Sequence, residues 1–248
     1  MSFHDHFSRD AGSYAAFRPR YPAALFSALA ATVSRHDMAW DAGTGNGQAA
    51  IALADHFRHV VATDASAAQI AAATTHERVE YRVARAEASG LDDESTDLVT
   101  VAQALHWFDI PGFFAEARRV LRSDGVVAAW TYGLMSIDPA IDQIIHDFEH
   151  SKVGPYWPAQ RELVDSGYRT IDFPFDELSF PTFLIEQPMT VDTLAGYVRT
   201  WSSVAHYVQA NGDDPVAPFI AEIADWWGAR EHSRKVTFPV TVRVGRRQ

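Results

Sequence analysis

Eight residues constrain this chain more than any others: Asp41-Ala42-Gly43-Thr44-Gly45-Asn46-Gly47-Gln48. The stretch follows a short apolar run, Met38-Ala39-Trp40, and precedes an alanine-rich apolar run over residues 48–57. That order spells strand, glycine-rich turn, helix. Glycine lets a turn take φ > 0 and lets a ligand approach the bare backbone. The carboxylate of Asp41 falls at the strand exit, and a second acid, Asp64, ends the next apolar run, Val60-Val61-Ala62-Thr63. Together these residues describe a nucleoside-type cofactor lying across the carboxyl ends of two neighbouring parallel strands.

Glycine spacing narrows the cofactor. A dinucleotide-binding turn reads G-x-G-x-x-G and sets a pyrophosphate on the helix N-terminus. Here the glycines are Gly43, Gly45 and Gly47, and Gln48 stands where the third dinucleotide glycine would fall. Asp41 is also a poor neighbour for a pyrophosphate, because like charges repel, and a good one for a cationic amino group. S-Adenosylmethionine carries an α-ammonium, a sulfonium and no phosphate. With an acid followed by x-G-x-G-x-G, the chain resembles the class I S-adenosylmethionine-dependent methyltransferases.

The resemblance runs past one motif. In that family an acid ending strand 2 holds the ribose hydroxyls, and Asp64, followed by Ala65, matches it. Ser66 then reads as the N-cap of the next helix. The family's Ala-Glu pair beside the adenine is matched by Ala86-Glu87, although Arg85 stands where many relatives carry an Asp. Residues 94–101 announce strand 4 and lead into Gln103-Ala104-Leu105-His106-Trp107-Phe108. That run is similar to the type 11 methyltransferase group, in particular its trans-aconitate methyltransferase-like branch, as are residues 118–126 and the leader 14–22. The resemblance implies an α/β fold: a doubly wound, Rossmann-like sheet, mostly parallel with one antiparallel strand, in the order 3-2-1-4-5-7-6, with a helical cap. It implies S-adenosylmethionine held by Asp41, Gly43, Gly45, Asp64, Ala65, Ala86, Glu87 and Gln103. It also implies a small-molecule acceptor, methylated preferably on oxygen and met by Tyr14, Arg20, Trp107 and Arg199, with His106 as the catalytic candidate.

The 248 residues, 47% of them hydrophobic, suffice for one large α/β domain over 1–248. Within it we read leader helices over 1–33, a cofactor-binding core over 34–132, a cap over 133–235, and a final strand and tail over 236–248. Strands are predicted near 38–42, 59–64, 79–83, 97–102 and 126–131, alternating with helical patterns as in a covered parallel sheet. Two further strands, near 171–180 and 236–244, are expected to complete the sheet. One long helix is predicted over 191–209 and another over 216–229, from apolar residues at helical spacing. A net charge of −11 argues against a dedicated nucleic-acid binder. The arginines of the tail, Arg243, Arg246 and Arg247, read as a solvated end. No apolar run is long enough to span a bilayer, and residues 1–6 lack a signal-like pattern. Absence of cysteine excludes disulfides and thiol catalysis and fits a cytoplasmic protein. The oligomeric state stays open.

Methyl transfer from a sulfonium is an in-line displacement with a neutral leaving group, so the protein mainly supplies alignment and a dry site. A base is needed only when the nucleophile starts protonated. His106 is therefore read as a base, as an orienting group for a carboxylate, or as a packing residue in a His-Trp-Phe turn. Tyr14, Arg18, Arg20 and Tyr21 either fold over the cofactor or form an exposed junction. Arg199, Trp201, Ser202 and His206 either line the acceptor cavity or belong to ordinary core and surface. The pairs His4/His6, His56/His59 and His146/His150 lack further ligands, and no metal is expected. Two rivals remain at this level: a non-catalytic cofactor-binding or regulatory protein, and a nicotinamide-dependent oxidoreductase, against which Gln48 counts.

Overall fold

The computed structural model describes residues 17–248. Short apolar runs build β1 (Met38–Ala42), β2 (His59–Asp64), β3 (Val79–Val83), β4 (Thr96–Ala102) and β5 (Leu121–Tyr132), all mutually parallel. Successive side chains of a strand point to opposite faces, and here both faces are apolar. Ala39, Val60, Leu98 and Val126 face one core, while Trp40, Val61, Val99 and Val127 face the other. Helix Ala23–Ala30 precedes β1, helices Gln48–Ala54, Ala67–Ala71 and Ile110–Val120 lie between the strands in sequence, and together they supply much of the packing partner set. Ser66 caps the helix Ala67–Ala71, its hydroxyl accepting from Gln69 N–H at 3.3 Å.

Three later strands finish the sheet: β6 (Asp176–Glu177), β7 (Phe183–Met189) and β8 (Arg234–Arg246). The order is β3-β2-β1-β4-β5-β8-β6, with β7 also paired to β8. Strand β8 is antiparallel to β5, β6 and β7 alike, so the last strand runs opposite to all the others, in the predicted place. The fold is a Rossmann-like, mostly parallel sheet with one antiparallel strand.

Three local readings needed correction. The stretch 171–180 forms only the two-residue β6; Ile171, Phe173 and Phe175 instead drop into the second core, where Phe114 packs edge-on against both phenylalanines. The long edge strand is β7, hidden in sequence by Glu186, Gln187 and Pro188, residues suited to a sheet edge. The helix expected over 191–209 is two, Val191–Arg199 and Ser202–Asn211. Trp201 breaks it in an extended conformation (φ −70°, ψ 135°), which seats its indole among Phe148, Trp157 and Tyr197. Finally, the arginine tail is not solvated. Arg243, Arg246 and Arg247 lie on or beside β8 and donate to the carbonyls of Tyr168, Ile171, Asp124, Thr32 and Leu121.

The glycine turn after β1 is where the backbone is least replaceable. Gly47→Ala is expected to destabilise the protein more than Gly45→Ala. Both positions are left-handed, φ +88° and +55°, which costs an L-residue about 1–2 kcal/mol. At Gly47 a new methyl would sit 2.1 Å from the Tyr81 hydroxyl, whereas at Gly45 its nearest neighbour is Gln69 Oε1 at 3.8 Å. Overpacking of that kind adds roughly 1–3 kcal/mol. Urea unfolding reads the difference, and equal stabilities would remove the Tyr81 contact from the account.

Candidate active site

The carboxyl ends of β1, β2 and β4 open onto one cavity of about 1100 Å³. Its floor is the glycine turn. Thr44 N–H donates to Thr63 O at 2.9 Å, tying the turn to β2, and Gly45 N–H donates to Asp64 Oδ2 at 2.9 Å. The other oxygen of Asp64 accepts from Ser66 N–H at 2.8 Å. Gly43, Gly45, Asp64, Ala65, Ala86, Glu87 and Gln103 all line this cavity, so seven residues that the sequence assigns to the cofactor come together around it. Glu87 is held there by Asp109 N–H at 2.9 Å and by Arg85 Nε at 3.1 Å. Gln103 is held in a left-handed conformation (φ +56°). Its Oε1 accepts from Tyr132 N–H at 3.1 Å and from the Thr131 hydroxyl.

Asp41 is different. It is fully buried beneath the turn and does not line the cavity. Its carboxylate accepts from the Thr44 hydroxyl at 2.6 Å and the Thr100 hydroxyl at 2.7 Å. Burial raises its pKa to about 6, partly offset by the two threonines, and the charge of Asp64 pushes in the same direction as burial. Any effect of Asp41 on a bound cation therefore acts through the turn, not by contact.

The acceptor side departs further from expectation. Tyr14 lies outside the described residues. Arg20 is exposed, its N–H donating to Gln187 Oε1 at 3.4 Å, and Arg199 forms an exposed ion pair with Asp214 at 2.8 Å. Neither lines the cavity. The leader arginine that does is Arg18, which donates to the Tyr132 hydroxyl at 2.7 Å and to Thr200 O at 3.1 Å. His106 and Trp107 do reach the cavity, on a 3₁₀ turn over Leu105–Trp107 that follows β4. A side chamber of about 70 Å³ adjoins them, walled by Trp157, Arg161, Tyr197 and Trp201 among others. Sequence reasoning missed Trp157 and Arg161 as site residues: the proline and aromatic crowding of residues 154–158 signals the first, and nothing local signals the second. Arg161 stacks on Trp157 with 4.2 Å between guanidinium carbon and ring centre.

His106 donates to or accepts from the Tyr168 hydroxyl through Nδ1, at 2.9 Å. Burial, followed by the positive charges of Arg161 and Arg18, lowers its pKa to about 3. Such an imidazole is neutral at physiological pH and a poor proton acceptor, so the base reading of His106 is the weakest of the three. Among the described residues, no three or more histidine, aspartate or glutamate side chains cluster as metal ligands, and no helix is long and apolar enough to cross a membrane.

The buried Asp41 generates a pH prediction. Its folded pKa of about 6 lies above the ordinary 3.8, so the native state holds this proton more tightly than the unfolded one. The stability it contributes is fully present below about pH 4 and is lost as pH rises through about 6, a change on the order of 3 kcal/mol at 1.4 kcal/mol per tenfold. The stability of Asp41→Asn relative to wild type should therefore rise by a few kcal/mol between pH 4 and pH 7 in urea unfolding. A difference independent of pH would mean that the carboxylate is ionised at little cost.

Comparison with known proteins agrees with this geometry. The sequence pattern of the family described as "Methyltransferase domain" matches residues 40–129, which span β1 through most of β5. A Dictyostelium discoideum protein named as a methyltransferase is 36% identical over 224 residues, covering 89% of this chain and 85% of that protein. A Saccharomyces cerevisiae protein, named a probable S-adenosylmethionine-dependent methyltransferase, is 30% identical over 252 residues, covering 86% and 85%. A solved structure from Anaeromyxobacter dehalogenans, described as a type II methyltransferase, superposes with a TM-score of 0.88 at 44% identity, covering 93% of this chain and 98% of that one. The chain belongs to the class I S-adenosylmethionine-dependent methyltransferases.

Proposed function

We propose that this methyltransferase acts on a small molecule and sets the methyl group on oxygen, a carboxylate oxygen before a hydroxyl. The observation that carries the reading is the side chamber. It shares Arg18, Gln103, His106, Trp107, Tyr132 and Pro158 with the larger cavity, so an acceptor seated there would meet the cofactor across those six residues. Its size of about 70 Å³ suits the reacting end of a small molecule. A neutral His106 suits an acceptor that has no proton to give up.

The cofactor arm fits the donor. Asp64 and Glu87 border it, favourable for a sulfonium and an ammonium and unfavourable for a pyrophosphate. Asp64 accepts from two backbone N–H groups and borders the cavity, and an ionised carboxylate is the acceptor that ribose hydroxyls require. Ala84, Ala86 and Ile110 offer apolar surface for a base. S-Adenosylmethionine supplies an electrophilic methyl and a neutral thioether leaving group. The protein's own work is to orient: Gln103 and Trp107 border the place where the two compartments meet, and Arg18 pins the leader over it. On this reading residues 34–132 form the cofactor-binding core and 133–235 choose the acceptor.

Calorimetry should find binding of S-adenosylmethionine and S-adenosylhomocysteine and no comparable binding of NAD; tighter NAD binding would sink the reading. Asp64→Ala should weaken adenosyl-ligand binding by about 1.5–3 kcal/mol, the worth of charge-assisted hydrogen bonds, with some loss of stability because two turns lose their common acceptor. A folded variant of unchanged affinity would remove Asp64 from the ribose site. For the acceptor, a panel of small carboxylic acids and alcohols should be screened by mass for a gain of one methyl group. With a carboxylic acid, His106→Ala should chiefly raise the acceptor KM. A loss in kcat of about 10²–10⁴-fold, the range of general-base catalysis, would instead point to a protonated nucleophile.

A further inference from the structure

Tyr168 stands apart from every motif in the sequence. It follows Gly167 in a left-handed conformation (φ +62°) and is 1% exposed. Non-glycine residues held in that region persist only where the surroundings dictate it, and such residues concentrate at functional sites. Here the surroundings do dictate it. Tyr168 N–H donates to Leu163 O at 2.9 Å, and its carbonyl accepts from Arg243 Nη1 at 2.8 Å and Ile171 N–H at 3.2 Å. The result aims the phenol at the Leu105–Trp107 turn, with Oη 2.9 Å from His106 Nδ1.

The direction of that hydrogen bond decides what His106 can do. A phenolic hydroxyl has one hydrogen to give and accepts through its oxygen. The Tyr168 hydroxyl is buried, a buried donor needs an acceptor, and His106 Nδ1 at 2.9 Å is the hydrogen-bond partner it meets among the described residues. What Tyr168 offers Nδ1 is therefore its hydrogen. Were Nδ1–H to donate to Tyr168 instead, the buried phenol hydrogen would be left with no acceptor bonded to it among the described residues. Arg18 and Arg161 bring positive charge towards the imidazole, which disfavours protonating both nitrogens.

We infer that Tyr168 is a positioning residue: by donating its hydroxyl to Nδ1 it fixes His106 as the neutral tautomer with its proton on Nε2. With Nδ1 committed, Nε2 is the ring nitrogen left for the two compartments that His106 lines. The imidazole then offers the acceptor a hydrogen-bond donor and not a base. This deepens the reading of the side chamber as the acceptor site and rests on it. The acceptor class that matches is an oxygen that is already anionic. Its electron pair forms the new O–CH₃ bond as the S–CH₃ bond breaks, that pair stays on sulfur, and no proton has to leave. The Nε2–H group holds the anion in line throughout.

The test reads the tautomer directly. The full chain, labelled with ¹⁵N at histidine, is followed by long-range ¹H–¹⁵N correlation between pH 5.5 and 8, alone and with S-adenosylhomocysteine. One histidine, assigned by its disappearance in His106→Gln, should keep an unprotonated Nδ1 and a protonated Nε2 across the range. In Tyr168→Phe the fixed pattern should give way to the other tautomer or to imidazolium. A proton on Nδ1 in the wild type, an ordinary titration, or a Tyr168→Phe spectrum identical to wild type would each overturn the inference. Should Tyr168→Phe fail to fold, the wild-type spectrum alone decides. Binding of S-adenosylhomocysteine is measured on the same samples. Its failure would count against the cofactor site and leave the tautomer readable.

Discussion

One carboxylate holds the cofactor end together. Asp64 closes β2, yet its two oxygens take N–H groups from different turns, Gly45 after β1 and Ser66 after β2. The parallel register sets Ala42 beside Thr63, so the two turns emerge side by side and one side chain can brace both. Without that brace, three alternate left-handed glycines would have a floor at Thr44 and Thr63 and no wall. The same arrangement places Asp64 close enough to Asp41 for its charge to raise the pKa of the buried acid. Two like charges stacked through a turn are mutually unfavourable, and a cation above the turn relieves both. The glycine turn is thus tuned to a positively charged ligand by an electrostatic tension that its own fold creates.

The legible part of this architecture was the part governed by local rules. Alternating apolar runs placed β1 to β5 to within a few residues, and Ser66 announced its helix by cap chemistry. The glycines and acids at the strand exits were readable because the need for φ > 0 and for a carboxylate there is chemical and local. Beyond β5 the decisive interactions are long-range. Nothing near Trp201 in sequence says that Arg18, nearly two hundred residues away, will take the Thr200 carbonyl and that the helix will break there. Nothing local distinguishes Arg20 from Arg18, yet only one turns inward. Tyr168 could not be found at all, because its role depends on a turn after β4 and on Arg243 of the final strand.

Those long-range contacts make the cap part of the site. Trp201 leaves its helix to fill the space between Phe148, Trp157 and Tyr197, and thereby becomes a wall of the side chamber. Phe17 lies where Gly196 has no side chain; a β-carbon there would come within 2.5 Å of the ring. Arg18 follows immediately and bonds both the end of β5 and the helix break. The leader is therefore keyed to residues 133–235 by shape at Gly196 and by a hydrogen bond at Thr200, and to the end of β5 by a hydrogen bond at Tyr132. A change in the cap that served a new acceptor would have to preserve that key or loosen the cover over the cofactor.

The two compartments differ in electrical character, and on the proposed reading that difference is what drives the chemistry. Carboxylates border the cofactor arm at Asp64 and Glu87 and lie beneath it at Asp41. At the acceptor arm His106 feels the guanidinium charges of Arg18 and Arg161. A cationic donor and an anionic acceptor are each at home in their own compartment, and methyl transfer between them destroys both reacting charges. Water stabilises separated ions far better than the neutral products, so a chamber walled by Trp107, Trp157 and Trp201 tips the balance towards reaction. A base in that chamber would add little. What it needs beside the guanidinium charges of Arg18 and Arg161 is a fixed donor that orients the anion, and a histidine kept neutral by burial and by those charges meets that requirement.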